Sequence, residues 1–231
     1  MTPLLLLPGM MCDARLYGPQ MDVLSGRIPI MTCPIGGQDS MADLAADILA
    51  YAPPRFAIAG LSMGGIVAME VLRQAPDRVL GIALIDTNPL AEKDEVKARR
   101  VPQIETVRNG GLRTVMREEM KPNYLTDGPQ RGAILDLCMD MAMDLGADVF
   151  INQSKALRGR IDQSDTLRGF TRPALVLCGR EDVLCPVERH VLMHDLLPNS
   201  RLEIIENAGH LPTLEQSDKT NAALIRWLEE L

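Results

Sequence analysis

The stretch FAIAGLSMGGIVAM, from Phe56 to Met69, restricts the folds open to this chain more than any other. Phe56 to Ala59 are apolar and read as a buried strand, and Gly64 to Met69 open an apolar helix. Gly60-Leu61-Ser62-Met63-Gly64 is therefore a strand-to-helix turn. A G-x-S-x-G turn holds its serine in a strained backbone conformation, and its glycines remove side chains that would collide where strand and helix meet. Ser62 is thereby held out at the tip of the strand. The Met63 amide falls at a helix N-terminus, where unpaired N–H groups favour negative charge. Both features suit a nucleophile that generates an oxyanion. A plain Gly/Ser turn where a helix packs on a strand has the same composition, so the rest of the chain must decide.

Around this turn the chain alternates. Leu4 to Leu7 form an apolar strand ended by Pro8-Gly9, and a second strand is expected at Ile28 to Ile35. Ser40 is an N-cap with Asp43 three residues on, opening a helix with Met41, Leu44, Ala45 and Ile48 on one face. After the elbow helix, Leu80 to Ile85 give another strand, ending at Asp86-Thr87-Asn88-Pro89. This rhythm implies an α/β fold, a mostly parallel sheet with helices on both faces, and ligands bound at the carboxyl ends of the strands.

From Leu90 to Arg168 the alternation stops. Charged helical patterns run over Glu92 to Arg108, Leu112 to Lys121, Pro129 to Leu145 and Ala147 to Leu157. Residues 90–168 are expected as an inserted helical cap, or lid, between core segments 1–89 and 169–231; ordinary peripheral helices are the simpler alternative. Gly110-Gly111 is either a hinge or a helix end. The sheet then resumes with a strand at Pro173 to Leu177, a helix at Glu188 to Leu197 and a last strand at Leu202 to Ile205. An amphipathic helix from Thr213 to Leu231 closes the chain.

The 231 residues are 46% hydrophobic, enough for one large core with a small lobe. A net charge of -7 and the lack of Lys/Arg clusters argue against nucleic acid and anionic membranes, and favour a small-molecule partner. The five cysteines are odd in number and lack metal-ligand spacing, as expected of free thiols in a reducing cytoplasm. The apolar N-terminus, MTPLLLLPGM, is too short for a signal peptide or a span and lacks a basic region. No cofactor and no metal are called for.

Ser62 needs a base, because a serine hydroxyl is protonated at neutral pH and imidazole titrates where proton transfer is useful. Of the three histidines, His210 alone follows a strand, in the loop Asn207-Ala208-Gly209-His210. His190 and His194 are one helical turn apart, but with no third ligand nearby they are expected to be a surface or partly packed pair. His210 in turn needs a carboxylate to fix its tautomer. Asp182, after the preceding strand, is the candidate; Glu181 is adjacent and stays open, and a turn aspartate is the bland alternative. The chain order Ser62, Asp182, His210 is that of a known serine, acid and histidine arrangement.

With G-L-S-M-G at the elbow, G-R-E-D-V-L-C-P after the next-to-last strand and N-A-G-H-L-P before the last helix, the chain resembles the α/β-hydrolase family from end to end. The resemblance implies a serine hydrolase core with a helical cap between the strands ending near Asp86 and starting near Pro173. It also implies an oxyanion hole built from the amide after the nucleophile, Met63, and one from the loop after the first core strand. Relatives carry His-Gly in that loop; here the pair is Pro8-Gly9, which carries the second amide to Met10, with Met11 as the fallback. The chain also starts at what would be the family's third strand, which leaves a sheet edge that is either covered or paired with a second subunit as a homodimer.

The expected chemistry is acyl transfer, with His210 deprotonating Ser62, the Met10 and Met63 amides holding the oxyanion, and water releasing the acyl group. Size, elbow and cap are similar to small carboxylesterases, including carrier-protein methyl ester esterases, and to enol-lactonases, so hydrolysis of a carboxylic ester or lactone is the primary reading. Thioester or carbon–carbon bond hydrolysis with the same triad, and a silent hydrolase fold that only binds a ligand, are the alternatives. Met139, Met141 and Met143 would give an adaptable pocket wall, core filling being the simpler role. Arg99, Arg100, Arg113 and Arg117 are a landing site for an acidic carrier protein or a substrate carboxylate, or simply a solvated face.

Overall fold

A computed structural model describes residues 1–231. Six strands form one sheet: β1 (Leu4–Leu7), β2 (Ile30–Thr32), β3 (Phe56–Leu61), β4 (Val79–Ile85), β5 (Ala174–Gly179) and β6 (Ser200–Ile205). Their order across the sheet is β2-β1-β3-β4-β5-β6, and every neighbouring pair is parallel. The helices are α1 (Gly18–Leu24), α2 (Met41–Tyr51), α3 (Met63–Gln74), α4 (Asp94–Arg108), α5 (Leu112–Val115), α6 (Arg131–Gly159), α7 (Ser164–Arg168), α8 (Val187–Leu196), α9 (Pro212–Glu215) and α10 (Ser217–Leu228). None of them is long and apolar enough to cross a membrane.

The continuous apolar runs follow from burial on both faces of a parallel sheet. Leu5, Leu7, Ile58, Ile82, Leu84 and Val176 point to one side, where α2, α3 and α8 supply Ile48, Val67 and Met193. Leu4, Leu6, Ala57, Ala59, Ile85 and Leu177 point to the other and meet Leu24, Leu224 and Trp227 of α1 and α10. Each fully buried leucine of β1 contributes about 1.5–3 kcal/mol, so four consecutive ones make β1 a strong organising strand. Ser40 caps α2, its hydroxyl accepting from the Asp43 N–H at 3.1 Å.

Three boundaries differ from expectation. The second strand shrinks from Ile28–Ile35 to Ile30–Thr32, because it lies at the sheet edge, pairs only with the short β1 and is flanked by Pro29 and Pro34. The closing helix is broken at Gln216 (φ -137°, ψ 54°), which turns the Glu215 carboxylate back toward the sheet edge. The expected helix Leu112–Lys121 keeps only α5; Met116–Met120 continue as a wide π turn and Lys121–Asn123 as a 3₁₀ turn.

Between β4 and β5 the chain holds helices and turns without a strand. Gly146 (φ 82°, ψ 179°) divides α6 at the point where a break between Leu145 and Ala147 is expected. Gly110-Gly111 ends α4, the two amides donating to the Val107 and Thr106 carbonyls.

Candidate active site

Ser62 sits between β3 and α3 at φ 55°, ψ -117°, a conformation that costs a non-glycine residue on the order of 1–3 kcal/mol. The surroundings hold it there. Its N–H donates to the Ile85 carbonyl at 2.9 Å, and Thr87 Oγ1 donates to its carbonyl at 2.7 Å. A β-carbon at Gly60 would lie 2.3 Å from the Gly64 backbone, and one at Gly64 would lie 2.1 Å from the Leu7 carbonyl oxygen. The two glycines thus let the head of α3 press onto both β3 and β1.

Three strand-end loops converge on this hydroxyl. His210 Nε2 lies 2.9 Å from Ser62 Oγ, and His210 Nδ1 lies 2.8 Å from Asp182 Oδ2. Asp182 and His210 are both buried, at 4% exposure each, so this relay is screened little by water. The other Asp182 oxygen accepts from the Leu184 and Cys185 amides at 2.8 and 3.1 Å. Burial pushes the Asp182 carboxyl up, but the neighbouring His210 charge and these hydrogen bonds outweigh it and hold the pKa at about 2. Glu181 is exposed, and its Oε2 accepts from the Ala208 amide at 3.1 Å. It supports the histidine loop and does not touch the ring.

The loop after β1 brings Gly9 beside Ser62; a β-carbon there would lie 3.5 Å from Ser62 Cβ. The Met11 amide donates to Gln153 Oε1 at 2.9 Å and is therefore engaged, with Met11 itself at φ 55°. The Met10 N–H has no acceptor within the protein, and Met63 opens α3, where no intrahelical acceptor exists. The Met10 and Met63 amides are thus both free, Met63 next to Ser62 in the chain and Met10 in the loop that brings Gly9 beside it.

Residues that sequence reasoning missed stand behind these. Gln153 of α6, 1% exposed, also donates to the Ile35 carbonyl at 3.1 Å. Asp86 ends β4 at φ 41°, fully buried; its Oδ1 accepts from the Gly179 amide at 2.9 Å, while Oδ2 has no donor. Burial first, then the Asp182 charge beside it, push the Asp86 carboxyl well above its ordinary value, which favours its protonated form. The signal in the sequence was a carboxylate at the end of an apolar strand on the same sheet edge as Ser62. Glu215 binds the histidine loop: Oε2 accepts from the Gly209 and Leu211 amides at 2.9 and 3.1 Å, and Oε1 accepts from the Thr126 amide at 2.9 Å.

His190 corrects the expectation of a surface or partly packed pair. It is completely buried, and its Nε2 accepts from the Thr87 amide at 3.1 Å, which leaves the proton on Nδ1, facing the Pro186 carbonyl at 3.3 Å. Burial lowers its pKa to about 4. His194 is half-buried against Ser200, with Nδ1 2.7 Å from Oγ.

A cavity of about 550 Å³ opens over Ser62 and His210, roofed by residues from Leu90 to Arg160. Met139, Met141 and Met143 do not line it. They are packed into the two cores, and Met141 Sδ accepts from the Asp13 amide, so the core-filling reading holds and the alternative of a pocket wall built from them does not. The lining methionines are Met10, Met63 and Met120. Arg113 and Arg117 are exposed, whereas Arg99 and Arg100 reach the cavity. Donor atoms of Asp182, Cys185 and His210 lie within 4.8 Å of one another, but both Asp182 oxygens are already hydrogen-bonded and burial holds the Cys185 thiol protonated, so the group's geometry is that of a proton relay. All five cysteines are free.

The parallel sheet, the strained serine and the loops at one sheet edge agree with the match of residues 5–223 to the alpha/beta hydrolase family model, and the chain belongs to that family. It is 27% identical over 247 residues to a pimeloyl-[acyl-carrier protein] methyl ester esterase of Aliivibrio salmonicida, spanning 99% of this chain and 92% of that one. A thermophilic esterase from Thermogutta terrifontis, solved with malate bound, superposes with a TM-score of 0.89 at 27% identity, over 99% of this chain and 90% of its own. The enol-lactonase from Burkholderia xenovorans shares the fold with a TM-score of 0.87 at 20% identity, over 100% and 92%. The chain is an enzyme of the alpha/beta hydrolase family, of esterase type.

Proposed function

We propose that this enzyme hydrolyses a small carboxylic ester or lactone through an acyl-enzyme on Ser62, with His210 as base and acid and Asp182 as the carboxylate that orients it. The observation that carries the reading is the unbroken relay of Ser62 Oγ, His210 and Asp182 at 2.9 and 2.8 Å on the floor of a cavity. His210 Nε2 takes the Ser62 proton as Oγ attacks the acyl carbonyl, and the ionised Asp182 stabilises the imidazolium. The Met10 and Met63 amides donate to the oxyanion, an arrangement in which one donor is worth about 10²–10³-fold in rate. His210 then protonates the leaving alcohol and activates the water that frees the acid.

The helical segment 90–168 acts as the cap that closes over the acyl chain and excludes water. The ester assignment draws on the relatives, among which the methyl ester esterases cleave the bond class that this geometry suits. Five free thiols support a reducing compartment.

The test is mass spectrometry after a fluorophosphonate probe, on wild type, Ser62→Ala and His210→Ala, alongside turnover of short p-nitrophenyl esters. Labelling at Ser62 that requires His210, with ester turnover, is expected. A folded wild type that neither labels nor turns over would overturn the reading in favour of a ligand-binding hydrolase fold.

A further inference from the structure

The cavity over Ser62 holds an uneven set of buried charges. Glu92, 1% exposed at its side chain, receives two guanidinium groups: Arg100 Nε and Nη2 donate to Oε2 and Oε1 at 2.8 Å each, and Arg160 Nη1 donates to Oε1 at 2.8 Å. Arg100 and Arg160 are only 12% and 11% exposed. One carboxylate thus faces two cations, and the cluster carries a net positive charge away from bulk water. Burial is the main force lowering the Arg160 pKa, and Arg100 adds to it, so Glu92 compensates Arg160 incompletely. Five cationic side chains line the cavity against three acidic ones, in a chain whose net charge is -7.

Donors remain open. Arg160 Nε donates to the Leu90 carbonyl, but its Nη2 has no protein acceptor, and Arg160 lines the cavity. Arg100 Nη1 reaches only the thioether of Met10, at 3.8 Å, a weak acceptor on the residue whose amide is free beside Ser62. A structural pin between the helical segment and the core would need a single arginine; a second buried guanidinium without its own counter-ion costs several kcal/mol unless an anion completes it. Planar guanidinium groups match carboxylates, with two parallel N–H donors.

We propose that Arg100 and Arg160 form a subsite for a carboxylate on the substrate, so that the enzyme prefers monoesters of short dicarboxylic acids over neutral esters. This rests on the esterase reading above and narrows it to one substrate class. The excess charge at the Glu92 cluster is complete only with the substrate bound. The free carboxylate lies against the guanidinium groups and draws the ester carbonyl toward Ser62.

The experiment compares monomethyl glutarate with its neutral carboxamide counterpart, as methanol release by wild type and as binding to Ser62→Ala by calorimetry. The expected result is a kcat/KM about 10- to 100-fold higher for the anion, the factor that charge-assisted hydrogen bonds of 1.5–3 kcal/mol supply, and a preference that shrinks as salt is raised. Arg160→Met should abolish most of that preference in both readouts. Glu92→Gln, which removes the competing carboxylate, should instead lower the KM for the anion. Equal turnover of the two esters would overturn the carboxylate subsite and leave the esterase reading standing. Failure of methanol release together with failure of Ser62 labelling would overturn the esterase reading. In that event the calorimetry decides the subsite alone: selective binding of monomethyl glutarate to Ser62→Ala supports it, and equal or absent binding of the two esters sinks it.

Discussion

The Gln153 side chain accepts from the Met11 amide at 2.9 Å and donates to the Ile35 carbonyl, tying the loops after β1 and β2 to α6. Met11 is held at φ 55° by this bond, and the preceding amide, Met10, is left free beside Ser62. In the mechanism proposed above, Gln153 therefore positions an oxyanion donor without touching the reacting atoms. Gln153→Leu leaves the buried Met11 N–H unpaired. A stability loss of about 1–3 kcal/mol is expected from a urea melt. With the donor loosened rather than deleted, kcat should fall by about tenfold at an unchanged KM, less than the full effect of a lost oxyanion donor.

Burial and the nearby Asp182 charge raise the Asp86 pKa, so its protonated form is favoured beside the Asp182 carboxylate. Asp86→Asn keeps an acceptor for the Gly179 amide and a donor toward Asp182, so activity should stay within about threefold of wild type, a barrier change under about 0.7 kcal/mol. Asp86→Ala removes both and should cost about 1–3 kcal/mol in stability. Asp182→Asn, by contrast, should lower kcat by about 10⁴-fold, by analogy with serine protease triads. Steady-state kinetics on the three variants, with melts as controls, check the ranking. An Asp86→Asn enzyme as impaired as Asp182→Asn would show that Asp86 acts as an ion.

His190 makes stability depend on pH. Folded, it titrates near 4; unfolded, near its ordinary 6.5. The unfolded chain binds the extra proton between these values, so stability falls as pH is lowered through that window, by about 3 kcal/mol in all, and the loss is absent above pH 6.5. Asp86, whose pKa is raised in the fold, acts with the opposite sign. The measurement is therefore a difference: urea midpoints of wild type and His190→Gln from pH 4 to 8. The wild type should lose stability relative to the variant only on the acid side.

Glu215 joins α9 to both the histidine loop, through Gly209 and Leu211, and the helical segment, through Thr126. Glu215→Gln turns one of its two acceptor oxygens into a donor that faces amide N–H groups. The His210 ring then loses its fixed approach to Ser62. Fluorophosphonate labelling at Ser62 should slow by about tenfold or more, with a stability loss of about 1–3 kcal/mol, the cost of a broken hydrogen bond to a charged group. Labelling at the wild-type rate would reduce Glu215 to a surface clamp.

What the order of residues determined by itself was the local part. Apolar runs such as Leu4–Leu7 and Leu80–Ile85 mark strands buried on both faces, Ser40 and Asp43 mark a helix start, and glycines at 60 and 64 mark the tight turn at Ser62, because each depends on neighbours within a few positions. The shared sheet edge then follows from parallel alternation, and it brings Ser62, Asp182 and His210 into one neighbourhood. The tertiary structure decided which lone pair meets which proton. Glu181 and Asp182 are adjacent in sequence and chemically alike, yet only Asp182 reaches the imidazole. Met10 and Met11 differ only in that Gln153, 142 residues away, has engaged the second amide. His190 reads in sequence as one of a surface or partly packed pair and is a fully buried acceptor, packing made Met139, Met141 and Met143 core rather than pocket wall, and the cavity charge comes from Glu92, Arg100 and Arg160. Those outcomes rest on packing between segments distant in the chain, where burial and hydrogen-bond geometry act through space and leave no periodic trace in the sequence.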